Sequence, residues 1–167
     1  MGARQGGHEV KMIDVARLNF PILRTKEEFE KGTPVDSIRD AQQTIAWADH
    51  LFICYPLWLG TLPALLKAFL EQTFRYGFAM TVGDKGRMWK KLLKGKSARI
   101  VVTMGMPALF YRWYFGAHGL KSLERSILAF AGIRPIRESL IGLVDARGNE
   151  YRGRWLARTQ ALGRRAR

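Results

Sequence analysis

Cysteine is almost absent from this chain, and the shortage narrows its chemistry at once. Cys54 is the single cysteine among 167 residues, so no internal disulfide and no cluster of thiolate metal ligands can form. Set in an apolar run, Cys54 is expected to be a buried, inert thiol in a reducing, cytoplasmic protein. The three histidines, His8, His50 and His118, lie far apart and without paired cysteines or carboxylates, so metal-ligand spacing is missing too. No G-x-S-x-G elbow, G-x-x-x-x-G-K phosphate loop or G-x-G-x-x-G dinucleotide turn occurs, and a hydrolase reading has no support. The longest uncharged run, Leu51 to Leu66, contains Pro56 and Pro63 and falls short of the roughly 20 residues of a membrane span. The first residues are polar and glycine-rich, unlike a secretory leader.

Negative charge is scarce as well: 14 acidic residues face 28 basic ones, for a net charge of +14. Such an excess invites a nucleic-acid reading, but the distribution weakens it. Basic residues are scattered, except around Lys90–Lys96 and in an arginine-rich end comprising Arg147, Arg152, Arg154, Arg158, Arg164, Arg165 and Arg167. These clusters read as solvated faces, with anionic cofactors or acidic lipid as secondary partners.

What is present is enough apolar material, 47% of residues, for one domain burying about two-thirds of its unfolded surface. The chain is organised around Leu51–Leu70. Leu51–Tyr55 is a wholly apolar run, the pattern of a strand buried on both faces of a parallel sheet. Pro56 ends it, and Pro63 can open a helix on which Leu65, Leu66, Phe69, Leu70 and Phe74 recur at helical spacing. Before it, His8–Asp14 alternates as a modest strand, Leu18–Pro34 is an irregular excursion, and Asp36 or Ser37 is placed to cap a helix with stripe Ile38, Ala41, Ile45 and Ala48. After it come a glycine-bearing excursion through Gly86, a short helix at Trp89–Leu93, and a β-branched strand at Ala98–Thr103. A helix face of Leu120, Leu123, Ile127, Leu128 and Ala131 stops at Gly132. A last strand, Ile136–Val144, and a final helix, Glu150–Leu162, complete the order. Strands alternating with helices specify an α/β fold, a doubly wound parallel sheet between two helical layers.

A parallel sheet brings the loops Tyr55–Gly60 and Thr103–Pro107 to one edge, where flat ligands bind in such folds. The loops offer a tryptophan wall, small residues and backbone N–H groups, as an isoalloxazine ring with an apolar face and a hydrogen-bonding rim requires. Tyr111 and His118 follow downstream, beside the same edge. The plainer reading is that these aromatics pack a core or an interface.

Tyr55-Pro56-Leu57-Trp58, with Pro63-Ala64-Leu65-Leu66-Lys67-Ala68-Phe69 and Tyr76-Gly77-Phe78-Ala79, resembles the signature of the flavodoxin-like NAD(P)H:quinone oxidoreductases. DT-diaphorases, drug-activity modulator reductases and potassium-efflux ancillary reductases share it. The resemblance implies a flavodoxin-like fold and a bound FAD or FMN that passes a hydride from NAD(P)H to a quinone-like acceptor. It implies that Pro56, Leu57, Trp58 and Leu59, with Thr103, Met104 and Gly105, border the flavin. It assigns Tyr111 and His118 the stabilisation of negative charge on the reduced ring, and it implies a homodimer.

This sequence departs from that pattern in three places. The second loop reads Met104-Gly105-Met106-Pro107 where many relatives carry a second glycine, and the Tyr111–His118 spacing is one residue longer than in DT-diaphorases. Gly2–Val10 resembles the end of the first helix of the family, so the first strand and its phosphate-binding turn are expected to be missing. That leaves a gap beside Leu51–Tyr55, where buried unpaired backbone groups cost roughly 1–3 kcal/mol each. A rival reading is a non-catalytic regulatory or binding subunit, for example one ancillary to a membrane transporter. Binding of nucleic acid through the arginine-rich end is the weakest expectation.

Overall fold

The computed structural model describes residues 2–82 and 88–166. Gly86 and the terminal Arg167, both singled out from the sequence, lie outside the described residues. The fold is built on β4 (Ser97–Thr103), whose interior residues are buried on both faces. It pairs in parallel with β1 (His50–Pro56) on one side and β5 (Ile136–Ile141) on the other. β-Branched residues fill such a doubly covered strand because their stiff side chains pack well on a pleated surface.

One face, carrying Ile53, Tyr55, Ile100, Val102 and Glu138, is covered by α4 (Ala64–Thr73) and by a continuous helical run from His118 to Ala131. That run comprises α6 (His118–Lys121), a π-helical stretch (Ser122–Leu128) and α7 (Ala129–Ala131). It stops at Gly132, whose φ of 108° no side-chain-bearing residue adopts cheaply. α3 (Asp36–Trp47) buries Ile38, Ala41 and Ile45 beside α4. On the opposite face α1 (Gly2–Gln5) packs on α8 (Asn149–Arg164), so closely that a Cβ on Gly2 would sit 2.2 Å from the Gln160 carbonyl oxygen. Helices thus lie on both faces, as the alternation predicts.

Four local expectations need correction. His8–Asp14 is extended but forms no ladder, because no described strand lies beside it to accept one. β1 is an edge strand rather than a doubly buried one. Phe52, 45% exposed, and Cys54 stand on the face that α8 covers over β4 but not over β1. Cys54 is therefore exposed, although partial burial still pushes its thiol pKa up. Trp89–Lys91 is strand β3, paired antiparallel with β2 (Met80–Val82), because Tyr76 and Phe130 pack against Trp89 and hold it beside the hairpin. Neither Asp36 nor Ser37 caps α3: its cap is Val35, and the Ser37 hydroxyl donates instead to the Asn19 carbonyl.

The Leu18–Pro34 excursion contains a short helix, α2 (Lys26–Lys31), capped by the Thr25 hydroxyl. Buried Arg75 closes its other end, its guanidinium donating to the Glu28, Phe29 and Gly32 carbonyls and to the Gln72 side chain.

Candidate active site

β1 ends at Pro56, in register with Thr103 of β4. The Leu57 N–H then donates to the Thr103 carbonyl at 2.8 Å, which fastens the two predicted loops together just beyond the sheet. Trp58 and Thr61 exchange both backbone hydrogen bonds at 3.0 Å around a two-residue turn. Leu59 and Gly60 occupy it with φ of 48° and 79°, the conformation that suits a tight hairpin but strains a branched residue. Leu59 is 104% exposed and Trp58 61% exposed, so the turn stands out as an apolar prong.

The second loop is anchored beneath it. Met104 is buried and donates its N–H to the Ile141 carbonyl at 2.9 Å. A third loop, which the sequence did not single out, follows β5. Leu143, at a strained φ of 56°, donates to the Met106 carbonyl, and Val144 donates to the Met104 carbonyl. These bonds bring the Asp145 carboxylate to 3.8 Å from where a Cβ of Gly105 would stand. Nothing lies within 4 Å of a Cβ built on Gly60. The edge is thus a shelf with open space above Gly60, bounded by Trp58 and Leu59 on one side and by Asp145 at Gly105 on the other.

Tyr111 lies under this shelf rather than on it. It belongs to α5 (Ala108–Trp113), is fully buried, and its hydroxyl sits 3.4 Å from the Gly60 carbonyl while accepting the Leu120 N–H at 3.3 Å. Burial raises its pKa, the Leu120 N–H opposes that, and the Glu138 and Glu124 carboxylates add to the rise. Tyr111 therefore stays a phenol and ties the Gly60 turn to the helical run. Gly119 completes the junction: a Cβ there would come 2.6 Å from Thr61 Cα and 2.7 Å from the Gly60 oxygen. His118, exposed at the first position of α6, folds its ring over Gly116 and makes no described hydrogen bond to Tyr111. Pro56 through Leu59 and Thr103 through Gly105 are brought together; Tyr111 joins them from below and His118 stands beside them.

Two cavities open elsewhere. One, about 520 Å³, lies among Leu23, Phe29, Leu70, Phe74 and Ile127. The other, about 600 Å³, is lined by Arg112, Leu120, Glu124, Arg137 and Glu138 among others.

An open parallel sheet whose strand ends converge on a glycine-bearing shelf places this chain among the α/β folds that bind ligands at that edge. The chain belongs to the flavodoxin-like fold family, whose model it matches over residues 2–159. It is 27% identical over 147 residues to a ribosyldihydronicotinamide dehydrogenase-like protein of Penicillium crustosum, covering 73% of this chain and 54% of that one. It is 28% identical over 149 residues to FMN-dependent NADH:quinone oxidoreductase 2 of Clostridium perfringens, covering 84% and 71%. A solved NAD(P)H:quinone oxidoreductase from Methanothermobacter marburgensis shares the fold with a TM-score of 0.78 at 23% identity, over 98% of this chain and 85% of that one. The chain spans little more than half the length of its Penicillium relative. Among the described residues no helix is long and apolar enough to cross a membrane.

Proposed function

We propose that this chain is a flavin-binding NAD(P)H oxidoreductase that passes reducing equivalents to a quinone-like acceptor, working in the cytoplasm as a homodimer. The observation that carries the reading is the shelf itself. Trp58 and Leu59 offer an apolar wall, and the open space above Gly60, with no side chain on Gly105 beside the Asp145 carboxylate, admits a flat ring against backbone. These residues fit the ring of FAD or FMN, and the Clostridium relative named for FMN and NADH lends the same reading support. Bound there, a flavin supplies hydride chemistry. The chain's own part is to hold the ring, to keep the Tyr111 phenol protonated beneath it, and to place His118 at the rim. Met104 and Ile141 keep the second loop rigid, and rigidity of this kind preserves reacting geometry. Exposed Leu109, with Phe110, Trp113, Tyr114 and Phe115, forms an apolar, mainly aromatic patch on and after α5, and this is the face assigned to the second protomer.

The test is reconstitution of the purified protein with FMN and with FAD, followed by oxidation of NADH and NADPH with a soluble quinone. Quenched flavin fluorescence on binding and acceptor-dependent loss of absorbance at the nicotinamide band are expected. A folded protein that binds neither flavin would overturn the reading and leave the regulatory-subunit alternative.

A further inference from the structure

Tyr111 is cut off from solvent, yet charged groups approach it from below. Glu124, in the π-helical stretch, and Glu138 of β5 line the same cavity, and each carboxyl lies within the other's electrostatic reach. Glu138 in turn is ion-paired to Arg112, the residue after Tyr111 on α5. Like charges so placed disfavour double ionisation, so one carboxyl keeps its proton to higher pH. Both line the 600 Å³ cavity together with Leu120, whose N–H bonds the Tyr111 hydroxyl, so the pair and the Tyr111 junction adjoin one space. A second buried phenol, Tyr55 on β1, has a hydroxyl with no described partner, and Tyr111, Glu124 and Glu138 are the titratable groups that act on it. π-Helical turns of this kind recur at functional sites.

We propose that Glu124 is a positioning residue of the candidate site: by taking up or releasing a proton beside Glu138 it sets the charge beneath Tyr111 and so the strength with which the Tyr111 hydroxyl holds the Gly60 turn. Burial first, then the Glu138 carboxylate, pushes the Glu124 carboxyl pKa up to about 6, while Arg125 and Arg112 oppose the rise. The other charges facing the pair are Lys121 on α6, Arg137 on β5 and Arg99 on β4, with Tyr111 on α5 and Tyr55 on β1 as the neutral neighbours. Below that pH the pair carries one negative charge, balanced by Arg112. Above it, the pair carries two, and the added charge draws the phenol proton more tightly onto oxygen and weakens Tyr111 as a donor to Gly60. The catalytic consequence rests on the redox reading above; the coupling between Glu124 and Tyr111 does not.

The two are separable by experiment. In the purified protein without flavin, carrying ring-carbon-labelled tyrosine, the Tyr111 resonance, assigned with Tyr111→Phe, should titrate with an inflection near pH 6. Glu124→Gln should abolish that inflection. Glu138→Gln, which removes the repelling carboxylate and leaves Glu124 to titrate, should move it to lower pH. A flat Tyr111 resonance in the wild type, or an inflection unchanged in either variant, overturns the proposal. With flavin, nicotinamide and quinone, the pH profile of kcat/KM should bend near pH 6 in the wild type and lose the bend in Glu124→Gln. A bend retained in that variant also overturns the proposal. Absence of any turnover with either flavin rejects the redox reading and leaves the resonance titration to decide the coupling.

Discussion

Gly119 offers the sharpest test of how the ligand shelf is assembled. A methyl group there would stand 2.6 Å from Thr61 Cα and 2.7 Å from the Gly60 oxygen, both backbone atoms that cannot swing aside. Gly119→Ala must therefore push the Leu59–Gly60 turn away from α6 and lengthen the Tyr111–Gly60 contact. Overpacking of this kind costs about 1–3 kcal/mol, and the helical preference of alanine over glycine returns roughly 0.5–1 kcal/mol. A net loss of about 1–2 kcal/mol is expected, worth about 2–8 °C in Tm for a domain of this size. Gly153 supplies the control. It sits inside α8 with nothing within 4 Å of a Cβ, so Gly153→Ala should stabilise by about 0.5–1 kcal/mol. Urea denaturation of both variants beside the wild type measures the difference directly. If Gly119→Ala stabilises as much as Gly153→Ala, the close contact between the turn and α6 is absent in solution and the description of the shelf fails.

Further measurements bear on the same region. Leu59→Asn gives the turn an Asn-Gly pair suited to its left-handed backbone and should raise stability by about 1 kcal/mol, read as a higher urea midpoint; a lower midpoint would mean that the Leu59 side chain is held by contacts the strain conceals. Tyr55→Phe removes a buried hydroxyl with no described partner and should be neutral or stabilising by about 1 kcal/mol. A clear loss would reveal a partner. The Glu124 carboxyl, raised from 4.5 to about 6 on folding, costs stability in its ionised form. That cost is absent below pH 4.5, grows as pH rises toward 6 and is fully present above it. After allowance for solvent screening of this partly exposed group it amounts to about 1 kcal/mol. Glu124→Gln should match the wild type near pH 4 and exceed it by that amount at pH 8 in thermal melts; a constant difference across pH would refute the linkage.

Much of the frame was legible because it follows from local pattern. The β-branched run Ala98–Thr103 reads as a strand and is β4, Pro63 can open a helix and does open α4, and Gly132 stops the helical run that follows α5. The edge character of β1 was hidden because an apolar run records what a side chain prefers, not whether a neighbouring layer arrives to cover it. Phe52 and Cys54 look alike to a pattern whether or not α8 reaches them. At the site, the loops Tyr55–Gly60 and Thr103–Pro107 were readable from prolines and glycines at strand ends, whereas the narrower set Pro56–Leu59 and Thr103–Gly105 came from the family resemblance. Asp145 was not readable, since only the strained Leu143 backbone carries it to Gly105. Nor was Glu124, which looks on the sequence like an ordinary solvent-facing helix residue and stands half-buried in the π-helical stretch beside Glu138, where both line one cavity.

Arg75 has a consequence for how the molecule moves. Its guanidinium gathers the last carbonyls of α2 and the Gln72 side chain, and it has no carboxylate among those described partners. Lifting the excursion would strip a buried cation of several acceptors in one event, because none can be released without tilting the planar group away from the others. Opening of α2 is therefore a cooperative step rather than a gradual fraying, and its amides should exchange with solvent as a single unit, at a common rate. A segment that reads as irregular punctuation along the sequence is in this way a latch on the far end of α4, the helix that begins at the ligand shelf.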